Sequence, residues 1–478
     1  MRGEIEMEAT ANHFQAALSL SALGDALGWP QEFKRYSSGA QLRQFVSWKK
    51  SSGGKYWAYQ DPIQTGEYSD DTQLMLAIAR SILPDRAFWP EYFAYLELPL
   101  WLHYERGGGR ATKQAARNLL KYKTLWSQNI FGSDKTNYDS AGGNGAAMRT
   151  LPISLARAHD LDALLTDTLS QALITHGHPR GIVGTLVLAC AHYQLIQDSQ
   201  LHYKTFGQFV KHTLDSFFKE KSHWSEELLA WWQARPMHYL EICLNTLEEM
   251  LAMLRLIPEY LNQASQHYFQ KIGCLAPETK GSGTATVAGA LFLYFQFRSQ
   301  PEEAIFAAAN LVGSDTDTIA SMVGGLVGLQ LGDRLSPELA SLSHQIQDYK
   351  YLSNLGKYLF EIAHSMPQES LFEKEEQIKP DKKESLKIVL SWEMGLHELF
   401  WDLLNQGDMI SHPTLGMGRL LTKAIYPIAN RTDYETRVFQ VRFDTGQSVY
   451  FHSRVSKENF DVEQSLGKTV RQELALAG

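Results

Sequence analysis

Two short acidic runs carry the residue types best suited to chemistry in this chain. They are Gly66-Glu67-Tyr68-Ser69-Asp70-Asp71-Thr72 and Gly313-Ser314-Asp315-Thr316-Asp317-Thr318. Each joins neighbouring carboxylates to hydroxyls, the hard oxygen donors that Mg²⁺, Mn²⁺ and Ca²⁺ take. Each also opens a helix-like pattern. Leu74, Met75, Ile78 and Ile82 follow the first run at helical spacing, and Ile319, Val323 and Val327 follow the second. Ser, Asp and Thr are the ordinary caps of a helix start, and taken singly a cap explains either run as well as a metal does. Four aspartates brought together without a cation would repel one another severely, so if the two helix starts face each other a pair of divalent ions is the natural neutraliser. Gly324, Gly325 and Gly328 permit such an approach, at about 1 kcal/mol each in helix propensity relative to Ala.

Between the runs lie three polar, Gly-rich insertions. They are Arg106-Gly107-Gly108-Gly109, then Ser140-Ala141-Gly142-Gly143-Asn144-Gly145-Ala146-Ala147-Met148-Arg149, then Thr175-His176-Gly177-His178-Pro179. Clustered glycines expose backbone N–H groups that can cradle a phosphate ahead of a helix, and a plain helix connection competes with that reading. His176 suits a sugar hydroxyl or a structural role. Glu32 ends Gly24-Asp25-Ala26-Leu27-Gly28-Trp29-Pro30-Gln31-Glu32, where a merely solvated glutamate is the ordinary case.

The elements that position these residues are helical. From Ala11 to His364 apolar residues recur at three- and four-residue spacing, and the pattern predicts an all-α region. Residues 366–387 crowd Glu and Lys around two prolines and read as a charged linker. Beyond them a helix near 392–404 leads into alternation over 436–444, a turn at Asp444-Thr445-Gly446 and a return through Val449, Tyr450 and Phe451. With further strands at 409–412 and 418–426, the expectation is a small all-β barrel. The predicted organisation is therefore a domain over 1–365, the linker over 366–387, and a β-module with its leading helix over 388–478.

Composition bounds the rest. The 478 residues are 44% hydrophobic and 21% charged, the profile of a folded globular protein, and the length suits one large domain with a minor one or two to three domains. A net charge of −8 gives no general attraction to nucleic acid or anionic membranes. The three cysteines form no CxxC spacing, the N-terminus has no apolar signal region, and apolar stretches such as 182–191 and 319–331 fall short of the roughly 18 residues that span a bilayer. These features predict a cytoplasmic protein without a membrane segment.

In their order, GDALGWPQE, SDDTQLML, RGGG, GGNGAAMR, THGHPRG and GSDTDTIA resemble the ADP-ribosylglycohydrolase family, of the dinitrogenase reductase-activating type. The likeness runs over about 11–331 and into the helices up to His364. It implies an all-α fold with two divalent cations, Mg²⁺ or Mn²⁺, at the base of an ADP-ribose cleft. It assigns Ser69, Asp70 and Asp71 to the metals from one side and Asp315, Asp317 and Thr318 from the other. It gives Glu32 an acid/base role beside Asp70 and Asp315 as catalytic residues. Gly142, Gly143, Asn144, Gly145 and Met148 would wrap the diphosphate and ribose, with Gly107, Gly109 and His176 completing the pocket. Ser69 stands where Thr is commoner, Ser314 where Gly is commoner, and Gly142 where some members carry an aromatic against the adenine.

The activity this implies is hydrolysis of the N- or O-glycosidic bond between ADP-ribose and a modified protein or other acceptor, with release of ADP-ribose. The alternatives are a catalytically silent ADP-ribose-binding scaffold and a hydrolase of another riboside. Residues 407–420 resemble the opening of SH3-like or Tudor-like barrels appended to bacterial nucleic-acid proteins. The tail is slightly acidic, which favours a protein partner or a structural role over nucleic acid.

Overall fold

Four glycines set the geometry of the core. In the computed structural model, which describes residues 9–33, 41–85, 87–133, 136–364 and 381–457, helix α1 (Ala11–Glu32) is buried on every side from Ala16 to Gln31. That burial matches its all-round apolar sequence. α1 runs antiparallel to a second helix, Thr316–Leu331, at a separation only glycine allows. A Cβ on Gly24 would lie 2.0 Å from the Ala320 carbonyl oxygen, and one on Gly28 2.4 Å from that of Thr316. From the other side, a Cβ on Gly324 would lie 2.0 Å from the Leu20 oxygen and one on Gly328 2.4 Å from Ala17 Cα. The Thr316 hydroxyl donates to the Gly28 carbonyl at 2.8 Å, and Ser21 and Ser321 bond at 2.8 Å. The antiparallel pairing delivers the last turn of α1, with Glu32, to the helix start that carries Asp315 and Asp317.

In chain order the helices that matter here are α2 (Asp70–Arg80), α3 (Arg110–Leu119), α4 (Pro179–Gln197), α5 (Gly283–Gln296), the Thr316–Leu331 helix just described, here α6, and α7 (Tyr349–Ala363); α2, α4, α5 and α7 pack on the α1–α6 pair. The region is mostly helical rather than all-α. A hairpin of β1 (Trp48–Ser52) and β2 (Tyr59–Ile63) interrupts it, pairing Trp48 with Ile63 and Ser52 with Tyr59, and a two-residue ladder joins 132–133 to 136–137. Lys, Asp and Pro within β1 and β2 hide the alternation that betrays a strand. Tertiary packing holds them, Trp48 edge-on to Trp29 at 5.2 Å and Tyr59 stacked on Tyr426 at 5.9 Å.

The C-terminal region begins with α8 (Lys382–Met394), which starts inside the stretch expected as linker; residues 366–380 of that stretch lie outside the described ones. Asp381 caps the helix by accepting from Glu384 N, and the Lys and Glu that read as a solvated tether are good helix formers. The strands β3 (Met409–His412), β4 (Gly416–Ile428), β5 (Arg431–Phe443) and β6 (Ser448–Ser456) follow where alternation placed strands. They form an open antiparallel meander in chain order, and the expected closed SH3-like barrel is not found among the described residues. Instead of closing on itself, the sheet packs on α8 and the helical body. Trp392 lies 4.5 Å from the His412 ring and 5.3 Å from Phe451, and Phe451 meets Tyr104 of the body at 5.7 Å. Val389, Trp392, Leu420, Val441 and Phe451 belong to the same apolar core as α1 and α6. All three cysteines are buried and unpaired. No helix of the described residues is long and apolar enough to cross a membrane.

Candidate active site

The start of α2 is held to α1 by Asp25. This carboxylate, fully buried, accepts from Ser69 N at 3.1 Å, Thr72 N at 3.0 Å and the Thr72 hydroxyl at 2.6 Å. The bonds fix where Asp70 and Asp71 stand. Ser69 caps the helix, accepting from Asp71 N at 3.2 Å, while its hydroxyl donates to Asp71 Oδ2 at 3.3 Å. From the opposite side, Asp315 precedes α6 and its Oδ2 accepts from Asn144 Nδ2 at 2.9 Å. Asp317 sits in the first turn and accepts from Thr318 N at 2.9 Å. The Ser314 hydroxyl donates to Leu311 O and tightens the loop away from these carboxylates.

A cavity of about 420 Å³ opens between the two helix starts. Glu32, Asp70, Asp71, Asp315, Asp317 and Thr318 line its acidic floor; Gly107, Gly109, Gly142, Gly143, Asn144, Gly145, Met148 and His176 line its walls. Of the residues expected at the site, only Ser69 does not line it, being fully buried beneath Asp71.

The floor is electrostatically unsatisfied. Burial, reinforced by neighbouring carboxylates, pushes Asp70, Asp71 and Asp317 well above the usual range. Burial and the nearby Asp315 raise Glu32 to about 7, against a weaker pull from Lys280 and Lys50. Asp71 Oδ1 is buried without a hydrogen-bond partner among the described residues. Two glycines leave room beside the acids: a Cβ on Gly107, whose φ is +122°, would lie 2.7 Å from Asp70 Oδ1, and one on Gly281 3.2 Å from Asp315 Oδ2. An oxygen-only donor set with an orphaned carboxylate oxygen fits hard divalent cations. Among the described residues no three of these carboxylates bring oxygens within 4.8 Å of one another.

The walls are shaped by histidines. A Cβ on Gly145 would lie 3.1 Å from His176 Cε1, and one on Gly142 3.0 Å from His178 Nδ1, so glycine there lets the loop lie against both rings. The loop is pinned by Asn144 N donating to Gly281 O and Gly283 N donating to Gly142 O, each at 3.0 Å. Buried Arg149 donates to the Thr175 hydroxyl at 2.8 Å, and that hydroxyl bonds His176 Nδ1 at 2.7 Å and reaches Ala172 O at 3.5 Å. Burial, with Arg149 nearby, lowers His176 to about 3, so the ring is neutral at pH 7. The N-terminal turn of α3, from Gly109 through Arg110 to Thr112, also opens into the cavity and favours negative charge there.

Asp25 and Gly281 were not singled out from the residues. Asp25 had a signal in its place inside GDALG, and Gly281 in the Gly281-Ser282-Gly283 run ahead of α5.

The family described as ADP-ribosylglycohydrolase matches residues 6–369. The chain is 33% identical over 180 residues to the ADP-ribosyl-[dinitrogen reductase] glycohydrolase of Rhodospirillum rubrum, covering 37% of this chain and 55% of that protein. It is 26% identical over 217 residues to the ADP-ribosylarginine hydrolase Tri1 of Pseudomonas putida (strain GB-1), 43% of this chain and 50% of that protein. To the ADP-ribosylhydrolase ARH3 of Homo sapiens it is 27% identical over 292 residues, 57% of this chain and 72% of that protein. The chain thus spans about half the length of the first two relatives.

Proposed function

The chain belongs to the ADP-ribosylglycohydrolase family, and from that premise we propose that it hydrolyses the glycosidic bond joining ADP-ribose to a modified protein or other acceptor. The observation that carries the proposal is the ring of raised, unpaired carboxylates around one cavity, with a glycine loop and a helix N-terminus on the opposite wall. In this reading Asp70, Asp71, Asp315, Asp317 and Thr318 hold two divalent cations, Mg²⁺ or Mn²⁺, while Ser69 positions Asp71 from beneath. Bound there, the cations supply Lewis-acid polarisation and lower the pKa of bound water.

The chain's own residues do the rest. The turn at Gly109 and the loop at Gly143, Asn144 and Gly145 meet the diphosphate, where helix-end and loop N–H groups offset its charge. His176 Nε2 bonds a ribose hydroxyl. Asn144 ties that loop to Asp315, so the diphosphate wall and the acidic floor keep one spacing, and the sugar is oriented between them. Glu32, raised to about 7, holds or releases a proton near neutral pH and serves as general acid and base as C1″ separates from its leaving group.

The test is release of free ADP-ribose from arginine-linked, serine-linked and nucleic-acid-linked conjugates, with and without chelator, beside Asp315→Ala. Release from one linkage, lost with chelator and in the variant, supports the proposal and identifies the acceptor. Binding of ADP-ribose without release from any conjugate would overturn it in favour of a silent binding protein.

A further inference from the structure

A second cavity, of about 860 Å³, lies in the seam between the helical body and the C-terminal region and shares Gly107 with the first. Its lining includes His103, which follows the body helix ending at Trp101, with Glu393 and His397 from the helical segment that leads the C-terminal sheet. One ligand atom from each of the three lies within 4.8 Å of the others. Glu393 and His397 are four apart on a continuous helical run, which puts them on one face, and tertiary docking brings His103 opposite them.

We propose that His103, Glu393 and His397 form a Zn²⁺ site, distinct from the acidic cleft, that clamps the C-terminal region to the body. Two imidazoles and a carboxylate with a fourth position open to water make a tetrahedral Zn²⁺ donor set, poorly suited to Mg²⁺. The donors are available. His103 is only 9% exposed, and neither its ring nor the Glu393 carboxylate makes a hydrogen bond or ion pair with another described residue. His397 Nδ1 bonds the Ser453 hydroxyl at 2.8 Å, which orients the ring and leaves Nε2 for a metal, the outer partner a ligating imidazole ordinarily has. Burial lowers His103 to about 3 and His397 to about 4, so both lone pairs are free at neutral pH. Arg454 near His397 opposes a cation there, as do Lys50, Lys113 and Arg117 on the same cavity lining, and Glu393 and Glu105 counter them.

This site stands independently of the cleft, and the experiment separates them. The full-length chain carrying Asp71→Asn, in excess Mg²⁺, is titrated with Co²⁺ as a visible probe and then with Zn²⁺. One equivalent of Co²⁺ should give the absorption of a four-coordinate imidazole site, displaced by Zn²⁺, and Zn²⁺ should raise the melting temperature. His103→Ala or His397→Ala should abolish the band and the shift. Ser453→Ala should weaken binding about ten- to a hundredfold, and Arg454→Gln should strengthen it. These last two keep the test valid should a histidine variant misfold. No Co²⁺ band in the folded parent, or a band unchanged in the His103 and His397 variants, would overturn the proposal.

Discussion

Carboxylates are buried in two neighbouring parts of this molecule, and the chain treats them in opposite ways. Under the C-terminal sheet they are matched by arginine. Arg80 pairs with Glu97 at 2.7 Å, and Arg106 pairs with Glu67 at 2.7 Å and Asp61 at 3.2 Å while its guanidinium lies 4.2 Å over the Tyr450 ring. Burial acts to raise Asp61, yet Arg106 overcomes it and holds the group below its usual range. In the cleft, Asp70, Asp71 and Asp317 are as buried, make no ion pair among the described residues, and are pushed up. The chain places arginine against buried acids nearby, so the cleft's lack of one leaves charge for a ligand from outside to neutralise. The two regions also touch. Arg106 O accepts from Asp70 N at 3.2 Å, so the matched network anchors the unmatched one.

The largest effect should come from unmatching the seam. Arg106→Ala strands Asp61 and Glu67 in the interior and should cost about 3–5 kcal/mol of stability, read from urea unfolding. An unchanged midpoint would show that the pairs contribute nothing.

In the cleft the same logic predicts lost function with a retained fold. Asp315→Ala should lower turnover by about 10²- to 10³-fold with little change in far-UV circular dichroism. Asp71→Asn should raise the metal-free melting temperature, because a repulsive buried charge is gone, and should remove the stabilising shift produced by Mg²⁺.

Acidity should separate the regions by sign. Glu32 is raised in the fold, so its contribution is fully present below its unfolded pKa near 4.5 and is lost as pH climbs to about 7, a change of about 3 kcal/mol in metal-free protein. Asp61 is lowered, so its contribution is present above its unfolded value near 3.8 and is lost as pH falls. Unfolding in urea from about pH 2 to 8, with chelator and then with Mg²⁺, should show the acid-side loss in both conditions and the neutral-side loss with chelator alone.

The smallest effect belongs to Gly281→Ala. Its Cβ would press on Asp315 Oδ2 from 3.2 Å, a displacement of tenths of an ångström, and should weaken metal activation by less than about tenfold. A metal titration of activity checks it.

Much of the cleft was legible because its signals are local. Asp70, Asp71, Asp315 and Asp317 stand beside hydroxyls at helix starts, and residues 142–145 are glycine-rich around Asn144. Asp25 was not legible as a positioning group, since within its helix it is an ordinary polar residue and its partners Ser69 and Thr72 lie far along the chain. Strands β3 to β6 followed from alternation, but whether a sheet closes depends on what else covers its faces, and here Trp392 and Tyr104 do. The hairpin of β1 and β2 was missed because Trp29 and Tyr426 hold it, not its own pattern.

By itself the sequence determined which acids stand beside hydroxyls, where helices begin, and where glycine permits close approach, because each depends on neighbours a few positions away. Only the tertiary structure decided that Glu32 faces Asp315, that Arg106 neutralises Asp61 but no cleft acid, and that His103 meets Glu393 and His397. These are distances between residues far apart in the chain. They are fixed by which helix faces pack, and burial then gives those few contacts their electrostatic weight.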